Sequence, residues 1–209
     1  MSNVHDQISD LRNVIAWKDL TAEPWRNGDG VTRQILSRRR SGSDTWLPAA
    51  DDWDWRLSIA DVDSSGPFSS FPGMTRILTV IEGVSVTLTV DGAVEELEKL
   101  RPFRFDGGAE SSAVLPHGSI RDLNLIARTS TVDAQVRIET LSAARPHLVS
   151  EGQYCVILGG RAQLLPSAAH ATAAELERFD TVIGDSRDPL TITGEGIVAV
   201  IMVFGAHST

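Results

Sequence analysis

Apolar and polar residues alternate with a period of two along much of this 209-residue chain, the spacing of strands that bury one face. Trp53-Asp54-Trp55-Arg56-Leu57-Ser58-Ile59 sets Trp53, Trp55, Leu57 and Ile59 on one face, with Asp54, Arg56 and Ser58 on the other. Arg76 to Ile81 reads as a nearly continuous apolar strand. Val84 to Val90 alternates cleanly and stops at Asp91-Gly92, a hairpin signal. Further strands are expected at Phe103–Phe105, Ile120–Ala127 and Val132–Glu139. Helical spacing is scarce: Ala168–Phe179 is expected as one short helix on two alanine-rich turns. Many short strands with few helices define an all-β protein, a sandwich or barrel.

The pattern also repeats. Val80-Ile81-Glu82-Gly83, with Leu88 five residues after the glycine, matches Val156-Ile157-Leu158-Gly159 with Leu164 at the same distance. Glu96-Leu97-Glu98 followed by Leu100 matches Glu175-Leu176-Glu177 followed by Phe179. Strand, glycine, strand, turn, Leu-Glu ridge and strand is the order of a small β-barrel. Two in one chain make a bicupin-like arrangement of two small RmlC-like jelly-roll barrels packed together. The expected division is an N-terminal barrel over about residues 15–140 and a C-terminal one over about 141–209, completed by N-terminal strands, the whole being one unit of 1–209.

Composition narrows the class further. With 42% hydrophobic and 22% charged residues the chain has enough apolar surface for a real core, which excludes a disordered chain. The single cysteine, Cys155, excludes a disulfide-stapled scaffold. The longest apolar run, Ile197–Phe204, falls far short of the roughly 20 residues of a membrane span. The first residues show no basic or apolar leader pattern, so a soluble cytoplasmic protein without a membrane partner is expected. A net charge of −9 argues against nucleic acid, and the basic run Arg38-Arg39-Arg40 is expected to be a solvated loop. Lys18 and Lys99 are the only lysines, so a bound carboxylate is expected to meet a guanidinium.

Familiar chemistries are missing. His5, His117, His147, His170 and His207 are widely scattered, and the strand after Gly83 carries no His-x-His pair, so neither a metal nor another cofactor is expected. His117, between Pro116 and Gly118, is read as an exposed loop residue or, alternatively, a pocket acid or base. No nucleophile elbow occurs, and Asn27-Gly28-Asp29-Gly30 does not sit between a strand and a helix as a dinucleotide loop would. Two Gly/Pro-rich segments with aromatic and polar groups stand out, Pro24–Ile35 and Gly66–Arg76.

Trp25-Arg26-Asn27-Gly28-Asp29-Gly30-Val31-Thr32-Arg33-Gln34-Ile35 resembles the W-K-N-G-G-G-x-T-x-E-I signature of the HutD/Ves family. Trp55–Ala60 resembles its W-R-x-S-x-A strand, Gly66–Arg76 its G-P-F-S-x-F-P-G-x-x-R loop, and Asp122-Leu123-Asn124 its D-x-N segment. The four motifs are co-linear over about residues 15–128. Asp29 and Gln34 depart from the family pattern; an Asp29 carboxylate in the pocket would oppose an anion. The resemblance implies a bacterial, cupin-like fold without an obvious metal site and an association with histidine utilisation.

Strand periodicity and the motifs converge on one surface. The expected ligand-binding set is Trp25, Asn27, Thr32, Arg56, Ser58, Phe68, Phe71, Arg76, Asp122 and Asn124. In one reading Arg56, Arg76 and Asp122 form an internal salt-bridge network that only shapes the barrel. In the favoured one, a single arginine pairs with Asp122 and the other receives a small carboxylate, with Trp25, Phe68 and Phe71 as apolar wall. The expected function is metal-independent binding of a small anionic metabolite, sensing or moderating intermediates of histidine breakdown. The alternative is a metal-free isomerase or hydrolase using Asp122 or His117 as base. A homodimer is left open, and no catalytic residue is assigned.

Overall fold

The computed structural model describes residues 13–25, 27–42, 45–168 and 172–206. His5, Arg26, His170 and His207 lie outside them. The strands run β1 (Val14–Ile15), β2 (Ala22–Pro24), β3 (Gly30–Ser41), β4 (Thr45–Pro48), β5 (Trp55–Val62) and β6 (Gly66–Pro67). They continue with β7 (Met74–Glu82), β8 (Ser85–Val90), β9 (Ala93–Glu98), β10 (Phe103–Asp106), β11 (Ser111–Val114) and β12 (Ile120–Arg128). The last six are β13 (Val132–Leu141), β14 (His147–Val149), β15 (Gln153–Leu164), β16 (Ala174–Leu176), β17 (Thr181–Ile183) and β18 (Leu190–Gly205). A 3-10 turn at Trp17–Asp19 is the one helical element among the described residues. No helix among them is long and apolar enough to cross a membrane.

The chain divides into two compact units, one drawn from Thr21–Asp133 and Gly205–Thr209, the other from Met1–Leu20 and Ala134–Phe204. In the first, β10-β7-β12-β5-β3-β2 form a sheet with β4 beside β3, and β6-β11-β8-β9 form a second. Apolar residues of both sheets, among them Leu78 and Val80 on β7 and Val86 and Leu88 on β8, share one buried cluster. The β8–β9 hairpin turns at Asp91-Gly92, both with positive φ (46° and 82°), the geometry that this dipeptide supplies readily. The ladders do not close into a continuous barrel; opposed sheets enclose the interior instead.

The other unit is a single sheet in the order β1-β17-β15-β18-β13, with β14 on β18 and β16 on β15. The long β15–β18 ladder shifts register between Ile157 and Gly159, beside a glycine pair. Gly160 has φ 84°, and a Cβ there would lie 2.2 Å from the Glu195 carbonyl oxygen. The interior is apolar, packed by Cys155, Ile157, Leu164, Leu190, Ile192, Val198 and Val200 among others. Burial pushes the Cys155 thiol well above the usual range, so it is an inert core group.

The repeat seen in the sequence has structural counterparts. Leu97 and Leu176 are both buried. Leu100 and Phe179 both take positive φ (64° and 71°) and donate their N–H to carbonyls of β7 and β15, at Val80 and Ile157. Two sequence expectations are corrected. Residues Ala174–Leu176 form strand β16 against β15 rather than part of a helix, because pairing to β15 outweighs the helix preference of so short an alanine-rich stretch. Arg38-Arg39-Arg40 belongs to β3 and pairs with Trp46–Pro48 of β4, and the Arg40 N–H donates to Asp54.

Candidate functional site

Three neighbouring strands build the floor of the site. Arg56 on β5 and Arg76 on β7 both lie opposite Ile126 of the central strand β12, so the three side chains form one row on one face. Two residues along β12, Asn124 stands between Ser58 and Leu78. Two further on, Asp122 stands between Ala60 and Val80, and Thr32 of β3 extends that row beyond Ala60. Trp55, Leu57 and Ile59 fill the opposite face of β5 and are fully buried. The polar face of this alternating strand thus turns toward a cavity rather than bulk water.

Two loops wall the cavity. In the first, Gly30 lets the chain pass close to β5: a Cβ there would sit 2.3 Å from the Asp61 carbonyl oxygen and 3.3 Å from the Trp25 ring. The Trp25 indole N–H donates to the Thr32 hydroxyl at 2.8 Å, which fixes the ring. Asn27 donates its amide to Asp29 at 2.7 Å, so the Asp29 carboxylate is engaged within its own turn and does not line the cavity. In the second loop, Phe68 donates its backbone N–H to Ser111, and Phe71 to Gly107. These bonds hang two aromatic rings over the arginine row.

The enclosed volume is about 410 Å³, toward the small end of ligand sites. All ten residues singled out from the sequence, Trp25, Asn27, Thr32, Arg56, Ser58, Phe68, Phe71, Arg76, Asp122 and Asn124, line it. Pro24, Ala60, Pro67, Ser69 and Ile126 complete the lining. Ala60 and Ile126 were legible as the next same-face positions after Ser58 and Asn124. His117 is exposed in the turn after β11 and is not part of the cavity, which removes it as a pocket acid or base.

The charged groups of the site are arranged unusually. Asp122 is 1% exposed and Arg76 3%, yet no ion pair within 4 Å joins Asp122 to either arginine. The expected pairing of one arginine with Asp122, and the closed salt-bridge network, are both corrected: the row of Asp122 lies four residues along β12 from the row of the two arginines. Each guanidinium instead packs on aromatic rings. The Arg56 centre lies 4.8 Å from the Trp53 ring and 5.4 Å from Phe71, and the Arg76 centre 5.0, 5.1 and 5.7 Å from Phe68, Phe105 and Phe71. Phe71 is therefore shared by both cations.

Polar valences are left over. The Nε of Arg56, the Nε of Arg76 and the Oδ1 of both Asp122 and Asn124 are buried without hydrogen-bond partners. Burial lowers the Arg56 guanidinium below the usual arginine range, with Glu23 acting weakly in the other direction. Burial pulls Arg76 down to about 10, opposed by Asp122 and reinforced by Arg56. Burial pushes the Asp122 carboxyl up to about 7, opposed by Arg76 and assisted by Asp61. The cavity contains one carboxylate, two arginines and no His or Cys, a donor set that does not fit a metal ion. Among the described residues no group of three His, Cys, Asp or Glu comes together elsewhere.

The all-β architecture with opposed sheets is a cupin-like fold. The fold matches that of a cupin 2 conserved barrel domain protein from Leptotrichia buccalis (TM-score 0.56, 8% identity, covering 96% of this chain and 99% of that one). The HutD family model matches residues 17–201, and the chain belongs to that family. The structure of HutD from Pseudomonas fluorescens, described for a formate condition, aligns with TM-score 0.73 and 30% identity over 93% of this chain and 98% of that one. An uncharacterized 21.2 kDa protein in the hutC 3′ region of Pseudomonas putida is 43% identical over 110 residues, 52% of this chain and 54% of its own length. Protein Ves of Escherichia fergusonii is 38% identical over 116 residues, 54% of this chain and 56% of its own length. The matches to these curated relatives thus span about half of their length.

Proposed function

We propose that this chain is a metal-independent binding protein for a small carboxylate. The observation that carries the reading is the row Arg56–Ile126–Arg76: one half-buried and one buried guanidinium in one cavity, no carboxylate of the described residues within ion-pair distance of either, and a buried Nε without a partner on each. A buried cation without an anion is costly, and a bound carboxylate would supply the missing charge and acceptors. One relative is named for the hutC 3′ region and another is HutD itself, names that suggest histidine utilisation. Intermediates of histidine breakdown, such as urocanate or a formyl- or formimino-glutamate, are therefore the ligand class, and sensing or moderating them is the role. The two units are read as two cupin-like halves. The first carries the site, and the second, with an apolar interior, supports the unit structurally.

Calorimetric titration of these metabolites against wild type and Arg56→Ala tests the proposal. Binding by at least one, weakened tenfold or more in the variant, is expected. No binding by any, or binding unchanged in Arg56→Ala, overturns it. A second reading, a metal-free isomerase or hydrolase, is favoured by one feature: the Asp122 carboxyl, at about 7, titrates where a general base works. Recovery of the ligand chemically unchanged after long incubation supports binding alone, and turnover lost in Asp122→Asn supports the enzyme.

A further inference from the structure

The cavity is polarised along β12, and this deepens the carboxylate-binding reading on which it rests. Strand rise is about 3.3 Å per residue, so the arginine row at Ile126 and the row of Asn124 are roughly 7 Å apart, with Asp122 a further step on. At one end stand two guanidiniums, which offer only donors. At the other stands Asp122, an acceptor when ionised, 1% exposed and with Oδ1 lacking a partner. A terminal carboxyl turns with little resistance about its last bond, so either oxygen can be presented to the cavity. Between the ends, Asn124 has its own unpartnered Oδ1, and Ser58 and Ala60 contribute short side chains that leave room.

A plain dicarboxylate would satisfy the arginines and place a second anion toward Asp122. A carboxylate with an apolar tail would leave Oδ1 as it is. A molecule that carries N–H at the end opposite its carboxylate meets both ends. We infer that Asp122 is a specificity-determining residue, and that this site selects small carboxylates bearing an N–H donor several ångströms from the carboxylate. Phe68, Phe71 and Trp25 favour a flat spacer between the two ends.

Two probes of matched shape test this: 3-(imidazol-4-yl)propanoate and 3-(furan-2-yl)propanoate, which differ in whether the ring offers N–H. Titration at pH 8 into wild-type protein is expected to show the imidazole compound binding at least tenfold more tightly. Asp122→Leu is expected to bring the two affinities within about twofold, and Asp122→Asn, which keeps the side-chain shape, to give an intermediate ratio. Thermal melting of each variant separates loss of fold from loss of selectivity. Arg56→Ala is expected to weaken both probes by a similar factor and preserve their ratio. Equal affinities in wild type, or a tenfold ratio that survives in both Asp122 variants, overturns the inference while leaving carboxylate binding intact. Affinities that do not respond to Arg56→Ala overturn the carboxylate reading itself, and failure of both probes to bind at millimolar concentration overturns both.

Discussion

Phe71 lies against both cations, and its ring is one of the aromatic faces that offset the charge of two guanidiniums in one cavity. Arg56 and Arg76 approach it from 5.4 and 5.7 Å, and the electron-rich faces of Trp53, Phe68 and Phe105 supply further compensation. Phe71→Leu keeps the apolar volume but removes this attraction, and a loss of about 1 kcal/mol of stability is expected in chemical denaturation. Asp122 makes an opposite kind of statement. Its carboxyl is held at about 7 against an ordinary 3.8, so the folded protein retains a proton that the unfolded chain releases. Stability on this account falls as pH rises between those values. Asp122→Asn removes the ionisation, and the melting temperature of the variant minus that of wild type is expected to grow by several degrees from pH 5 to pH 8. A constant difference across that range would contradict the assignment.

At the scale of strands and loops, alternation and the four motifs make the cavity lining legible. A period of two tells which side chains share a face, and the glycines and prolines of Pro24–Ile35 and Gly66–Arg76 tell where loops fold over it. Pairing distance was not legible. Arg56, Arg76 and Asp122 share a face, but only the register shows that the aspartate stands in a different row from the arginines. Residues 174–176 misled because local alanine content says nothing of the β15 edge that recruits them. Arg38–Arg40 misled for a related reason: strand β4 and the Asp54 side chain hold as a strand what looked like a loop, with Arg39 still exposed. Gly30 offers a direct test of the first loop. Gly30→Ala drives a methyl into the Asp61 carbonyl and the Trp25 ring, and a loss of about 1–3 kcal/mol is expected, with weakened carboxylate binding.

At the scale of the molecule, the two β units have interiors of different chemistry. The matching positive-φ residues Leu100 and Phe179, with their bonds back to β7 and β15, are one local feature the two units share. In one unit the interior holds arginine, aspartate and asparagine; in the other it holds Ile157, Leu164, Leu190 and Val198. Truncating the fully buried Leu190 to Ala is therefore expected to cost about 2–5 kcal/mol of stability while leaving the carboxylate affinity of the folded protein within twofold. The central claim is that Arg56 and Arg76 jointly await a carboxylate. A crystal structure of the protein grown with urocanate tests it most directly. The account predicts the carboxylate within hydrogen-bond distance of both guanidiniums, with the imidazole directed along β12 toward Asp122. A cavity holding only water, or an arginine swung across to pair with Asp122, would contradict it.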